Sequence, residues 1–421
     1  MAALALVAAL RLLPRSQAVD LGWPGIFGPD NNSITAESFD VSLLTPSGPP
    51  EKYRVEIGTG YSSPVAVDGR AVVLHRVDDE ERLTCLDIET GDPLWEHRYP
   101  TTYQCRYEYT DGPYGTPLIH GGRVFALGAQ WQAHCVDLAT GAVVWRRDLS
   151  EDFDVEEGLF GFGPGMVVDA GRLIFNLGAE GAGVVALDAA TGETVWVSGR
   201  DRSSFTTPRL ATIHGRRYAF VLTFEGLQAL DPVTGEPYWF VPFSSRAPDS
   251  VTATSPVVAG DLVLLVTGPG PGAKCLRIMP GGGWEEVWND RRRLDSQWNT
   301  LVERGGVVYG YTSKRVTTSF RCLELATGKL RWSWTSDLDR GSSILSGDTF
   351  ILWGEHGDLA FVAADPRRHR LHWMSGAALL ASPTYASPAL HRGLLLMRDE
   401  SELLCLSLRE ADLRAAAAGR R

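Results

Sequence analysis

Asp137-Leu-Ala-Thr140-Gly141-Ala-Val-Val-Trp145 decides how this chain folds, because the same phrase returns along its length. Upstream it reads Asp87-Ile-Glu-Thr90-Gly91-Asp-Pro-Leu-Trp95, and downstream it is carried by Asp188, Thr191, Gly192 and Trp196. It recurs at Asp231, Thr234, Gly235 and Trp239, and again at Glu324, Thr327, Gly328 and Trp332. A worn copy, Asp365 to Trp373, lacks Thr-Gly but keeps the acidic-to-Trp separation of eight. Self-similarity of this kind marks a repeat architecture.

Each phrase lies between two short alternating apolar runs, which is the pattern of a hairpin. The Asp accepts hydrogen bonds from nearby backbone N–H groups, and the Gly takes the positive φ that closes the turn. A second marker, a Ser/Thr-Pro pair opening an apolar strand, precedes most units: Ser63-Pro64, Thr116-Pro117, Thr207-Pro208, Ser255-Pro256 and Ser387-Pro388. Proline suits the first residue of a strand, where no ladder donor is needed. Counting Trp288, successive Trp markers are 50, 51, 43, 49, 44 and 41 residues apart. Four short strands in about 40–50 residues is the arithmetic of a β-propeller blade. No long stretch shows the 3.6-residue apolar period of a helical solenoid.

Blade number comes from the slot two residues before each acidic marker, filled by Cys85, Cys135, Ala186, Ala229, Cys322 and Ala363. Cys275 takes this place in a degenerate fifth unit, where Arg277 replaces Asp and Gly281-Gly-Gly283 displaces the Trp. Cys405 takes it after the last unit, so there are eight slots but seven Trp-strands. The strand missing from the eighth is expected at Tyr53-Arg-Val-Glu-Ile-Gly, which would close the ring and leave no free sheet edge. The fold class is therefore all-β, an eight-bladed propeller of four-stranded antiparallel blades over residues 51–409. Residues 1–18 read as a signal peptide, with an apolar run at Ala2–Leu10 and a small-x-small site at Ser16-Gln-Ala18. Residues 19–50 read as an N-terminal extended segment and 410–421 as a disordered tail.

With a formal charge of −11, the chain lacks the basic face that nucleic acid requires. No apolar stretch is long enough to span a membrane, and no cysteine follows the cleavage site to carry a lipid. Five of the six cysteines occupy the repeat slot, where a small buried residue leaves room for a bulky neighbour. Those slots lie apart around the ring, so mutual disulfides are not expected. Cys105 is off-register, in a Tyr-rich loop that is the best single segment for partner contact.

The acidic-x-x-Thr-Gly-x-x-x-Trp phrase after an Ala/Cys slot resembles the PQQ-like (pyrroloquinoline-quinone-binding-like) propeller repeat over residues 51–408. Trp23-Pro-Gly-Ile-Phe27-Gly-Pro29 is similar to the Trp-Pro-x-Phe-Arg-Gly-Pro opening of a bacterial secreted subgroup, with Phe27 where that subgroup has Arg. The resemblance implies that Trp95, Trp145, Trp196, Trp239, Trp332 and Trp373 dock one blade on the next. They are then structural and do not stack on a cofactor. It also implies two kinds of function. Quinoprotein dehydrogenases of this fold hold PQQ and Ca2+ over the channel, often beside a disulfide of adjacent cysteines. BamB-type propellers, related in repeat, are scaffolds without chemistry.

This chain has no adjacent cysteines, and the acidic residues of its turns are accounted for by backbone bonding. The reading adopted is a non-catalytic extracytoplasmic scaffold, periplasmic or secreted and monomeric. Its partner is a protein, peptide or glycan, with no cofactor, no metal and no catalytic residue. The alternative is a PQQ/calcium-dependent oxidoreductase acting on alcohols or sugars. Residues just ahead of the Ser/Thr-Pro marks lie at the funnel mouth, where an aromatic rim suits partner contact. They are Tyr61, Tyr114, Phe205 and Tyr385, with Phe162 and Trp298 aligned less directly.

Overall fold

The computed structural model describes residues 22–419 except 108, 156–159, 246–250, 299 and 313–317. The expected signal peptide, residues 1–18, lies outside the described residues. Eight antiparallel sheets of four consecutive positions make up the ring. Blade one consists of Val65–Val67, Arg70–Val77, Glu80–Asp87 and Pro93–Pro100, ordered from the channel outward. Six further blades of the same order span 118–148, 167–198, 209–242, 257–290, 302–334 and 341–374. The eighth sheet contains Ala389–His391, Leu394–Arg398 and Glu402–Ser407. Its outermost place is held by Glu51–Glu56, antiparallel to Glu402–Ser407 with Tyr53 opposite Cys405.

The repeated phrase does what its chemistry requires. In blade two the Asp137 carboxylate accepts from the N–H groups of Ala139 and Thr140, at 3.1 and 2.9 Å. Gly141 closes the turn at φ 73°, its N–H on the Asp137 carbonyl. The strand that follows returns Trp145 opposite Cys135. Trp95, Trp196, Trp239, Trp288 and Trp332 likewise stand opposite Cys85, Ala186, Ala229, Cys275 and Cys322. The worn copy departs from this, because Trp373 pairs with Phe361 rather than with Ala363.

Each indole then reaches the neighbouring blade. Trp95 Nε1 donates to the carbonyl of Leu138, Trp145 to Ala189, Trp196 to Pro232, Trp288 to Leu325 and Trp332 to Asp365, at 2.8–3.3 Å. Trp239 donates to Gly282, so the Gly-rich insertion of unit five serves as its turn. The turn glycine lies flat against the ring: a Cβ on Gly141 would stand 2.7 Å from Trp95, and one on Gly192 2.7 Å from Trp145. The apolar core accordingly lies between adjacent sheets, as where Leu74 and Leu83 of blade one pack with Val124 and Val136 of blade two.

A second ring of contacts lies at the channel and gives the Ser/Thr-Pro marker a role beyond proline. The N–H of Ser63 donates to Thr116 Oγ1, that of Thr207 to Ser255 Oγ and that of Ser387 to Ser63 Oγ. The marker hydroxyl thus receives the innermost N–H of the preceding blade. Buried Arg398 adds a clamp between blades eight and one, donating to the carbonyls of Gly58, Leu74 and Asp399.

The end of the chain corrects the sequence reading. Glu410–Ala418 is a helix, where a disordered tail was expected. Leu413 is the reason, since it is buried while the Ala-rich face around it stays open. Ser407 Oγ hydrogen bonds to Asp412 at the first turn.

Candidate functional site

The inner strands run from the hydroxyl ring at one mouth of the channel to tight turns at the other. Side chains alternate along such a strand, so positions two apart share a face. Two residues before Ser63, Thr116, Gly165, Thr207, Ser255, Thr300, Ser342 and Ser387, all hydroxyl residues but Gly165, stand Tyr61, Tyr114, Gly163, Phe205, Ala253, Trp298, Arg340 and Tyr385. All eight line one cavity of about 200 Å3 at the mouth. The register is thus a rule of the fold, with one residue from each blade.

Five of the six aromatic residues singled out from the sequence, Tyr61, Tyr114, Phe205, Trp298 and Tyr385, lie on this wall. Their rings meet edge to face: Tyr61 lies 5.3 Å from Tyr114 and 5.1 Å from Tyr385, and Trp298 lies 5.1 Å from Tyr385. Edge-to-face contact holds the rings upright while leaving their inner surfaces open. Phe162 is elsewhere. It is one residue out of the register, which turns it into the core between blades two and three, its ring 3.9 Å from Trp131. Gly163 holds the place in the cup, and Phe160 reaches in from the preceding loop, 6.0 Å from Phe205.

The sequence reading missed three parts of this site. One is Arg340, whose guanidinium lies 5.6 Å from the Trp298 ring centre. It donates to Gln297 Oε1 at 2.7 Å and to buried Glu355 Oε2 at 2.6 and 3.0 Å. Its register two residues before Ser342 was the signal, hidden because Gly341-Ser342-Ser343 carries no proline. A second is the side chamber of about 620 Å3 that opens past Gly163, between Phe160 and Phe205. Trp131, Phe162 and Phe224 line it, with Arg200, Arg202, Asp154 and Glu180 beside them.

The third is the floor. Ile26 and Phe27 close the cavity from below. They form the tip of a hairpin, Gly22–Ser38, that enters the channel from the opposite mouth. Trp23 pairs with Ala66 in both directions, at 2.6 and 2.9 Å, and Ile119 donates to the Pro24 carbonyl. The returning leg, Ile34–Thr35, runs parallel to Leu345–Ser346. Arg209 stacks on Phe27, 4.4 Å from the ring centre. The channel is therefore a blind cup.

The loop of residues 101–117, described except at 108, contributes Tyr109 and Tyr114 to the mouth. Arg76 fixes it by donating to the carbonyls of Tyr103 and Asp111, and the Pro113 carbonyl accepts from Tyr61 and Ser62. Tyr103 is buried, whereas Tyr107 and Tyr109 are half exposed and flank Phe160 at 5.4 and 5.5 Å. Cys105 is half buried, its N–H on Asp111 and its Sγ 3.8 Å from the Tyr114 hydroxyl. Burial raises the Tyr61 and Tyr114 hydroxyls above the ordinary tyrosine range, so both stay protonated as donors. Beneath the loop, Tyr99 donates to buried Glu81 at 2.7 Å, and burial pushes that carboxyl up.

An eight-bladed ring closed by the Thr-Gly-x-x-x-Trp turn makes the molecule a PQQ-like β-propeller. The chain belongs to the family of outer membrane protein assembly factor BamB, which matches it over residues 79–334. It is 31% identical over 160 residues to outer membrane protein assembly factor BamB of Kangiella koreensis, 37% of this chain and 36% of that protein. The match thus spans about a third of the relative's length. Among solved structures it is similar to BamB from Moraxella catarrhalis, with a TM-score of 0.60, 12% identity, and coverage of 85% and 99% of the two chains. It is also similar to the quinohemoprotein alcohol dehydrogenase of Comamonas testosteroni, with a TM-score of 0.65, 13% identity and coverage of 94% and 82%. At such identities the likeness is one of fold.

Proposed function

We propose that this chain is a non-catalytic extracytoplasmic scaffold whose aromatic cup receives part of a protein partner. The observation that carries the reading is the convergence on one wall of the residues that lead into the inner strands of all eight blades, five of them aromatic. Tyr and Trp give rigid contact area with a polar edge, the composition of binding hot spots. The half-exposed Tyr107 and Tyr109 extend that surface onto the rim. Membership of a family described as an outer membrane protein assembly factor supports a protein as the partner.

The wall does not fit PQQ with calcium. Ca2+ takes six to eight oxygen ligands, carboxylates foremost among them. Among the described residues, the side chains on the cup wall are aromatic, aliphatic, hydroxyl, amide and guanidinium groups, with no carboxylate among them. The nearest acidic cluster, Asp339, Glu355 and His356, stands behind Arg340, whose guanidinium already faces Glu355. A divalent cation there would compete with a resident charge.

The test has two arms. Purified protein titrated with PQQ and Ca2+ should show no saturable absorbance change and no dye-linked alcohol oxidation, and turnover would sink the scaffold reading. In parallel, a pull-down from envelope extract should retain a partner with wild-type protein and lose it with Tyr61→Ala/Tyr385→Ala. Circular dichroism of the variant should match the wild type.

A further inference from the structure

We infer that the Gly22–Ser38 hairpin is a gate, a separately opening element whose withdrawal turns the cup into a through-channel. The inference rests on the cup being the contact site only for its use, since the gate itself is defined by the hairpin. Both legs of the hairpin leave at the mouth opposite the aromatic rim. Gly22 lies against Ala66 and Val67, at the turn end of the blade-one inner strand, and Ser38 lies against Gly347, at the turn end of blade seven. The Glu37 carboxylate holds the exit by accepting from the N–H groups of Arg392 and Gly393, at 2.9 and 2.7 Å.

The seat is made of few bonds and contains two unmet ones. The hairpin is joined to the inner strands by the Trp23–Ala66 pair, by Ile119 on Pro24, by Asn31 on the Pro208 carbonyl, and by the short parallel pairing of Ile34–Thr35 with Leu345–Ser346, which includes Leu345 on Ser33, with Ser346 Oγ on the Glu37 carbonyl beside it. Against these, Trp23 Nε1 is buried with no hydrogen-bond partner, and so is Arg209 Nη1. Arg209 is only 8% exposed and forms no ion pair among the described residues; its Nε donates to the Pro256 carbonyl at 2.9 Å and its guanidinium stacks on Phe27, which leaves Nη1 unmet. Buried donors without partners and a buried charge without an ion pair destabilise the state that holds them. Trp23 is buried in the apolar cluster with Ala66 and Ala71, but the hairpin's pairing is shorter than the four-stranded ladders of the blades. Elements with fewer contacts open below the free energy of global unfolding.

Hydrogen–deuterium exchange on the full chain tests this without any partner. The amides of Ala66, Ile119 and Leu345 have their acceptors in the hairpin, at 2.9, 2.7 and 2.8 Å, and so report its seating. Peptides carrying them should exchange together, at least tenfold faster than peptides from Arg123–Leu127 inside blade two. Phe27→Ala should accelerate all three by a further tenfold while leaving the Arg123–Leu127 peptides unchanged. Exchange of the three at the blade rate, or at three unrelated rates, would overturn the gate. Because no ligand enters the measurement, its failure leaves the scaffold reading standing, and failure of the pull-down leaves the gate standing.

Discussion

Gly192 and Trp145 show what one repeated pair of residues does. Gly192 is at φ 77°, and a Cβ there would stand 2.7 Å from the Trp145 ring of the preceding blade. Gly192→Ala meets both strain at positive φ and displacement of the docked indole. It should cost about 2–4 kcal/mol, read as a lower midpoint in chemical denaturation. Trp145→Phe keeps a ring but removes the indole donor to the Ala189 carbonyl, which Arg123 still reaches, at a cost of about 0.5–1.5 kcal/mol. An unchanged midpoint in either variant would refute the docking role. This scale was legible in the sequence, because acidic residue, Gly and Trp each perform a local task. The channel hydroxyls were less so: Ser63 and Thr116 read as partners of proline, while their bond to each other depends on neighbouring blades meeting.

At the scale of elements, the N-terminal segment does more than its composition announces. Gly48 turns at φ 77° beneath Trp373, whose indole donates to the Pro46 carbonyl at 3.2 Å. Thr45–Gly48 thus serves blade seven as a Thr-Gly turn serves the others, and Tyr53 stands against Gly91 in the manner of a docking Trp. The strand Glu51–Glu56 is tied to blade one as well, since Glu89 receives Arg409 and Lys52. Those partners hold the Glu89 carboxyl at about 2, chiefly through the Arg409 hydrogen bond.

A carboxyl whose folded pKa is depressed contributes stability above its unfolded pKa, about 4.5, and loses it as pH falls toward 2. Thermal melts should therefore drop between pH 4.5 and 2, and Glu89→Gln should flatten that part of the curve. A variant curve that parallels the wild type would remove Glu89 from the account. Deleting residues 51–58 should lower the melting temperature of the whole ring, and an unchanged value would show that this strand does not hold it closed. The closing strand was readable at Tyr53, but the turn at Thr45–Gly48 was not, because its partner Trp373 lies more than three hundred residues away and residues 19–50 carry no repeat.

For the whole molecule, one register places eight residues around a cup, and a hairpin from the chain's own beginning floors it. The fold followed from counting repeats. The cup followed most directly where proline flagged the strand, which is why Tyr61 and Tyr385 were found, Trp298 was aligned less directly and Arg340 was missed. Phe162 fell on the wrong face through a shift of a single residue, since period-two alternation converts such a shift into the opposite side. The floor was invisible, because a short apolar segment does not say which cavity it fills.

The central claim is that partners meet the aromatic mouth and not the opposite one. Site-specific photo-crosslinking measures it directly, with benzoylphenylalanine placed at Tyr107 or Tyr109 on the rim and at His120 or Arg392 at the far turns. The account predicts one shared protein adduct from both rim positions and none from the far pair. Adducts from His120 or Arg392, with a silent rim, would contradict it.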